Sequence, residues 1–182
     1  MDASQIITAL KTQLIKDIIN DEEIVEAIDS PYKNDKNWNP TYLKDSYGTR
    51  QTKFSPHIYT YNKFPETIDD AITFILVLVQ IPRCFTDLSK VEPRIEFWIY
   101  SHKEHIYMEN KQIPINRNDY IAELLIKKFN KHDEKFPYDF GFNYSEEGAY
   151  DKVHLFRKVE FSCKAFNKSI CDINESEENN ED

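Results

Sequence analysis

The stretch ITFILVLVQI, residues 72–81, constrains the fold more than any other part of the chain. Only Thr73 and Gln80 interrupt an apolar run rich in β-branched side chains. A strand with one wet face alternates polar and apolar residues, so a run apolar at odd and even positions alike must be covered on both faces. Pro82 ends it, because proline cannot donate to the ladder of an interior strand. The run is also far too short to cross a bilayer as a helix, and no membrane association is expected.

Two segments supply neighbours for this strand. RIEFWIYS (94–101) alternates Ile95, Phe97 and Ile99 with Glu96, Trp98 and Tyr100. KVEFSCKAFN (158–167) alternates Val159, Phe161, Cys163 and Ala165 with Lys158, Glu160, Ser162 and Lys164. Both patterns predict a half-exposed antiparallel sheet. HIYTYN (57–62) reads as a short strand and FPETIDDA (64–71) as turn chemistry.

Helical spacing appears twice. Across residues 4–28, Ile7, Leu10, Leu14 and Ile18 recur at steps of three and four, predicting one long amphipathic helix. In RNDYIAELLIKKFN (117–130), Ile121, Leu124, Leu125 and Phe129 form a second stripe. Asn118 is the expected N-cap, with Asp119 at the first helical position and Arg117 outside the helix, free to bond Asp119 or a neighbouring subunit. The expected fold is α+β, an α/β sandwich with a mostly antiparallel sheet and two main helices packed on it.

One domain is expected over residues 1–171. Residues 29–56, rich in Pro, Asn, Asp and Lys, form a long loop excursion, and DINESEENNED (172–182) forms a disordered acidic tail. The tail holds six of the 32 acidic residues, leaving 26 acids against 23 bases in residues 1–171. No concentrated basic face results, so nonspecific nucleic-acid binding is not expected. Three glycines exclude the glycine-rich phosphate loops, and three scattered cysteines exclude a disulfide framework or zinc ribbon. With few, scattered cysteines and an N-terminus that reads as an amphipathic helix and not a signal peptide, a reducing cytoplasmic setting is expected.

Chemistry-bearing residues do not converge on a reaction. His102 and His105 in SHKEH would point to opposite sides of an extended segment and read as a polar strand end leading into a hairpin turn. Asp69, Asp70, Glu92, Glu96 and Lys103 could be drawn together as a metal-dependent nuclease site, but they show no specific spacing, and Glu96 reads as a solvated carboxylate. Cys163 reads as a small hydrophobe. No catalytic, metal or cofactor residues are assigned. Trp38 and Tyr42 in the excursion suit a protein interface better than stacking on single-stranded nucleic acid, given the acidic balance. Trp98, Tyr100, Arg117 and Asp119 complete the candidate oligomer-interface residues.

The leading amphipathic helix, SPHIYTYNKFPET, ITFILVLVQI, IEFWIYSHKEH and IPINRNDYIAELLIKKFN, followed by a final strand ending in Phe-Asn, resemble the neck and tail-completion proteins of tailed bacteriophages. The similarity runs over about residues 55–167 and is greatest to the tail terminators. It implies a non-enzymatic virion protein without cofactors, made in the host cytoplasm and found at the neck or tail end. The implied assembly is a homo-oligomeric, hexameric ring that stops the tail tube, binds tube and neck or adaptor proteins, and passes genomic DNA without binding it specifically. A neck adaptor or stopper on the portal is the alternative within that class.

Overall fold

The computed structural model describes residues 3–30, 57–60, 65, 71–81, 93–108, 115–130 and 138–166; Ala3, Ile6, Tyr138 and 163–166 are described by backbone only. The 29–56 excursion is therefore described only at Asp29 and Ser30, and the acidic tail lies outside the described residues, as do Cys84 and Cys171. The element order is α1 (Ala3–Ile19), α2 (Glu22–Ile28), β1 (Ile58–Tyr59), β2 (Thr73–Gln80), β3 (Arg94–His102), β4 (Tyr107–Met108), β5 (Ile115–Asn116), α3 (Arg117–Phe129), β6 (Tyr138–Ala149) and β7 (His154–Phe166). Five strands form one sheet in the order β1-β2-β3-β7-β6, antiparallel except for the parallel β1–β2 pair. This is the α+β class. No helix among the described residues is long and apolar enough to cross a membrane.

The apolar run becomes β2, which lies between β1 and β3 and is buried on both sides. Toward the helices it presents Ile75, Val77 and Val79, joined by Ile95, Phe97 and Ile99 from β3 and Val159 and Phe161 from β7. The predicted helical stripes cover this face: Leu10, Leu14 and Ile18 from α1, and Ile121, Leu124, Leu125 and Phe129 from α3. Phe97 stacks on Phe129, with ring centroids 5.2 Å apart, and meets Phe161 edge-on. The opposite face carries a second cluster of Tyr59, Ile72, Phe74, Leu76 and Tyr100, against which Leu78, Trp98 and Phe156 pack.

Two expectations need correction, and one strand was not anticipated. The first helix is broken at Asn20–Asp21, where the Asp21 carboxylate accepts the Ile24 N–H and caps α2. Asp21 also holds Lys128 of α3 at 2.8 Å. Burial pushes its acidity toward the neutral form, but the bonds from Lys128 and the Ile24 amide outweigh that, so its carboxyl titrates below the usual carboxylate range. The sheet is not half-exposed: Glu96, Lys158 and Glu160 are buried. And β6, which no alternation announces, adds an edge strand of twelve residues.

The β6 edge is partly shielded by its neighbours. Asn130, the C-cap of α3, accepts the Phe142 N–H at 3.1 Å, and Glu146 and Glu147 place charges along the remainder. Opposite Phe156 the strand has Gly148, and a Cβ there would come within 2.9 Å of the Phe156 ring. Gly148→Ala is expected to cost about 1–3 kcal/mol by overpacking, measured by urea unfolding; an unchanged midpoint would show that the ring moves freely.

Candidate functional site

Asn116 caps α3, its side chain accepting the Asn118 N–H at 2.9 Å, so Arg117 and Asn118 open the helix and are both buried. This corrects the expected cap at Asn118 and the expected place of Arg117 outside the helix. The Arg117 guanidinium reaches two separate parts of the chain from the start of α3. Nε donates to the His105 carbonyl at 2.8 Å and Nη1 to the Ala27 carbonyl at 2.5 Å. Nη2 lies 3.4 Å from both Asp29 Oδ2 and the Tyr107 carbonyl. Arg117 thus ties the end of α2 to the turn after β3 and to the start of α3. Burial lowers its basicity and Asp29 restores part of it.

A cleft of about 730 Å³ opens beside this latch, between α2, the 104–108 turn and α3. Glu22, Glu23, Glu26, Asp29 and Glu104 line it together with Tyr107, whose side is largely open to solvent. Asp29 is the C-cap of α2 and has a left-handed backbone, φ 50°. Such a conformation is uncommon for a residue with a Cβ, although Asp tolerates it better than most.

Behind the cleft runs a chain of buried hydrogen bonds. Asn118 Nδ2 donates to the Leu155 carbonyl, which turns Oδ1 toward Ser101, and Ser101 donates to it at 2.6 Å. The Ser101 proton being used, Thr73 Oγ1 donates to Ser101 across 2.6 Å and accepts from His105 Nδ1 across 2.9 Å. His57 adds a branch, Nδ1 to the Thr73 carbonyl and Nε2 to Ser30. The path joins β2, β3, β7, α3 and the residue before β1 at one end of the sheet. Burial and the Arg117 charge push the His105 imidazole down to about 4, against a smaller opposing pull from Asp29.

The expected turn after β3 is present, but its histidines part company. His105 joins the chain just described, while His102 meets His154 edge-on at 5.5 Å and accepts the Glu104 N–H. His154 pairs with Asp151 at 2.9 Å, and the same carboxylate accepts the backbone N–H groups of Val153 and His154, which holds the β6–β7 turn. These bonds depress the Asp151 carboxyl to about 2, the His154 contact contributing most.

On the sheet face away from the helices, Lys158 sits in a tripod of acceptors: Tyr144 Oη at 2.8 Å, Glu96 at 3.0 Å and Glu160 at 3.4 Å. Trp98 Nε1 donates to the other Glu96 oxygen, and Asn143 and Arg94 hold Glu160. Burial alone would lower the Lys158 ammonium, but its bonds to Tyr144 and Glu96 raise it above the ordinary lysine range. Burial likewise acts to raise Glu160, and its bonds from Asn143 and Tyr144 with the Arg94 and Lys158 charges bring it below the usual range.

The interface candidates fare unevenly. Arg117 and Tyr100 are buried within the chain, and Asp119 is taken by Arg157 of the same chain at 2.6 Å. Trp98 is half-buried, packed on Phe156 with its N–H committed to Glu96. Trp38 and Tyr42 lie outside the described residues, as do Asp69, Asp70 and Glu92. Glu96, read as solvated, is buried and saturated. Lys103 is exposed in the turn after β3. Sequence reasoning missed the exposed aromatic residues of the last hairpin, Phe142, Tyr144 and Tyr150, because β6 itself was not recognised. Among the described residues no three His, Cys, Asp or Glu side chains converge to hold a metal ion. The side chain of Cys163 lies outside the described residues, though its backbone is in β7.

Comparison with protein families gives a match across residues 13–163, nearly the whole described fold. The chain belongs to the YomW family. YomW is a phage-derived name of the SPbeta type, so the broad expectation of a phage-associated protein stands. No curated protein matches the chain. The YomW match takes in α2, the cleft, α3 and the Lys158 cluster, so these features fall inside the family's shared region.

Proposed function

We propose that this YomW-family protein is a structural, non-enzymatic virion component, forming a ring at the neck end of a phage tail that terminates the tube and joins it to the head. The family match over residues 13–163 supports the phage association, and the finer reading rests on the resemblance of residues 55–167 to tail terminators. The order of elements is compatible with it: leading helices, an apolar strand, a strand ending in Ser-His, a helix and a closing strand.

Closed rings use two different faces of each subunit, and aromatic residues are enriched in such contacts. Phe142, Tyr144 and Tyr150 on the β6–β7 hairpin and Tyr107 on the cleft rim are exposed and supply it. The mild acidity of residues 1–171, 26 acids against 23 bases, is compatible with a channel through which DNA slides. The nuclease alternative is weakened at one of its proposed residues, since Glu96 is held by Trp98 and Lys158.

Native mass spectrometry of the purified protein, alone and mixed with tail tubes, tests the proposal. The expected species is a hexamer, formed in solution or on the tube end. A strict monomer that binds neither tubes nor neck proteins contradicts it.

A further inference from the structure

We propose that His105 is the proton-sensitive element of a latch that holds α2 against the start of α3, so that uptake of one proton at its ring loosens α2 and opens the acidic cleft. The geometry carries the inference. His105 stands at the junction of the two networks: its carbonyl accepts from Arg117, its Nδ1 meets Thr73, and its Nε2 lies 4.0 Å from Asp29 Oδ2. Asp29 is at once the left-handed cap of α2 and the carboxylate partner of Arg117. A second cation at the ring therefore competes with Arg117 for the same carboxylate, at the joint where the α2 backbone is least comfortable.

The groups that face the ring come from every element around it. Glu26 and Asp29 belong to α2 and its cap, and His57 adjoins β1. Arg117 and Tyr120 belong to α3, while Glu104 and Tyr107 flank His105 on its own turn. Of these, Arg117 opposes protonation and Asp29 favours it, and burial adds to the opposition. The side chain is 19% exposed, so the closed latch excludes most of the solvent that would stabilise an imidazolium.

The direction follows by linkage. The closed form holds the imidazole at about 4, whereas a ring released to solvent titrates near the free value of about 6.5. The latch is therefore fully favoured above about pH 6.5 and is lost progressively as the pH falls toward about 4. Those two values predict that the opening equilibrium rises about twentyfold between pH 7 and pH 5.

Amide hydrogen exchange of the full chain, corrected for intrinsic exchange rates, reads this directly. Protection of the α2 amides should fall about twentyfold from pH 7 to pH 5 while that of the β3 amides holds, and His105→Gln should flatten the α2 response. Three results overturn the proposal: no α2 response, an equal response in β3, or an undiminished response in His105→Gln, which would move the sensor to His57 or the carboxylates. If His105→Gln does not fold, the ring titration of the wild-type protein followed by NMR decides. A midpoint near 4 moving in step with the α2 amides supports the latch, and a midpoint near 6.5 refutes it.

Discussion

Arg117→Ala is expected to lower the unfolding free energy by about 3–5 kcal/mol, a large share of the roughly 5–15 kcal/mol that holds a domain together. The guanidinium is 4% exposed and supplies the donors for two carbonyls, Ala27 and His105, that are 78 residues apart. Deleting it strands both acceptors at about 1–3 kcal/mol each and leaves a void where the side chain was. The Asp29 contact adds little, because that carboxylate is 43% exposed and the contact is long at 3.4 Å. Arg117→Lys should recover less than half of the loss, since an ammonium on a single stem cannot reach acceptors on both sides of a planar fork. Urea unfolding monitored by circular dichroism measures both. A loss for Arg117→Ala under about 1 kcal/mol would mean that α2 and α3 are held together by packing alone.

Lys158→Ala should be comparably damaging, again about 3–5 kcal/mol, for an electrostatic reason. β3 and β7 place Glu96 directly across from Glu160, a pairing of like charges that would by itself destabilise the sheet. Lys158, opposite Trp98, diagonal to Glu96 and two residues before Glu160 on the same strand face, offsets it with all three of its protons committed. The carboxylate side chains are 8% and 5% exposed, so removing the ammonium leaves two charges in a poorly solvated site with only Arg94 beside Glu160. The pH dependence has a definite sign. The depressed Glu160 carboxyl contributes stability that is present above the ordinary carboxylate range and is lost as the pH falls through its lowered value. A Lys158→Met, Glu96→Gln double variant should recover most of the loss seen in Lys158→Ala, because it removes a charge together with its partner. Equal stability of Lys158→Ala and wild type in thermal unfolding would show the cluster to be solvated.

These two sites also mark where reading the chain stops. The helix-covered core was legible: the unbroken run 72–81, the inward residues of 94–101 and the stripe on α3 each answer to a periodicity that burial imposes. The break before α2 carried a local signal that the longer apolar stripe masked, an Asp followed by two glutamates at a helix start. β6 carried little signal of any kind. It is an exposed edge strand with two glycines and a bulge at Asn143, and its matches of Glu146 with Lys158 and Glu147 with Arg157 exist only once the register is known. The buried charges were unreadable for the same reason. Glu96, Lys158 and Glu160 look solvated one at a time and become compatible with burial only as a set drawn from two strands. Arg117 depends on carbonyls from distant turns, which no spacing encodes.

Tail length in particles assembled without this protein tests the proposed function most directly. Electron microscopy of such particles should show tails well beyond the normal length, with heads left unjoined, if a ring of this YomW-family protein stops the tube. Tails of normal length would contradict termination, and normal tails attached to filled heads would contradict a neck role of any kind.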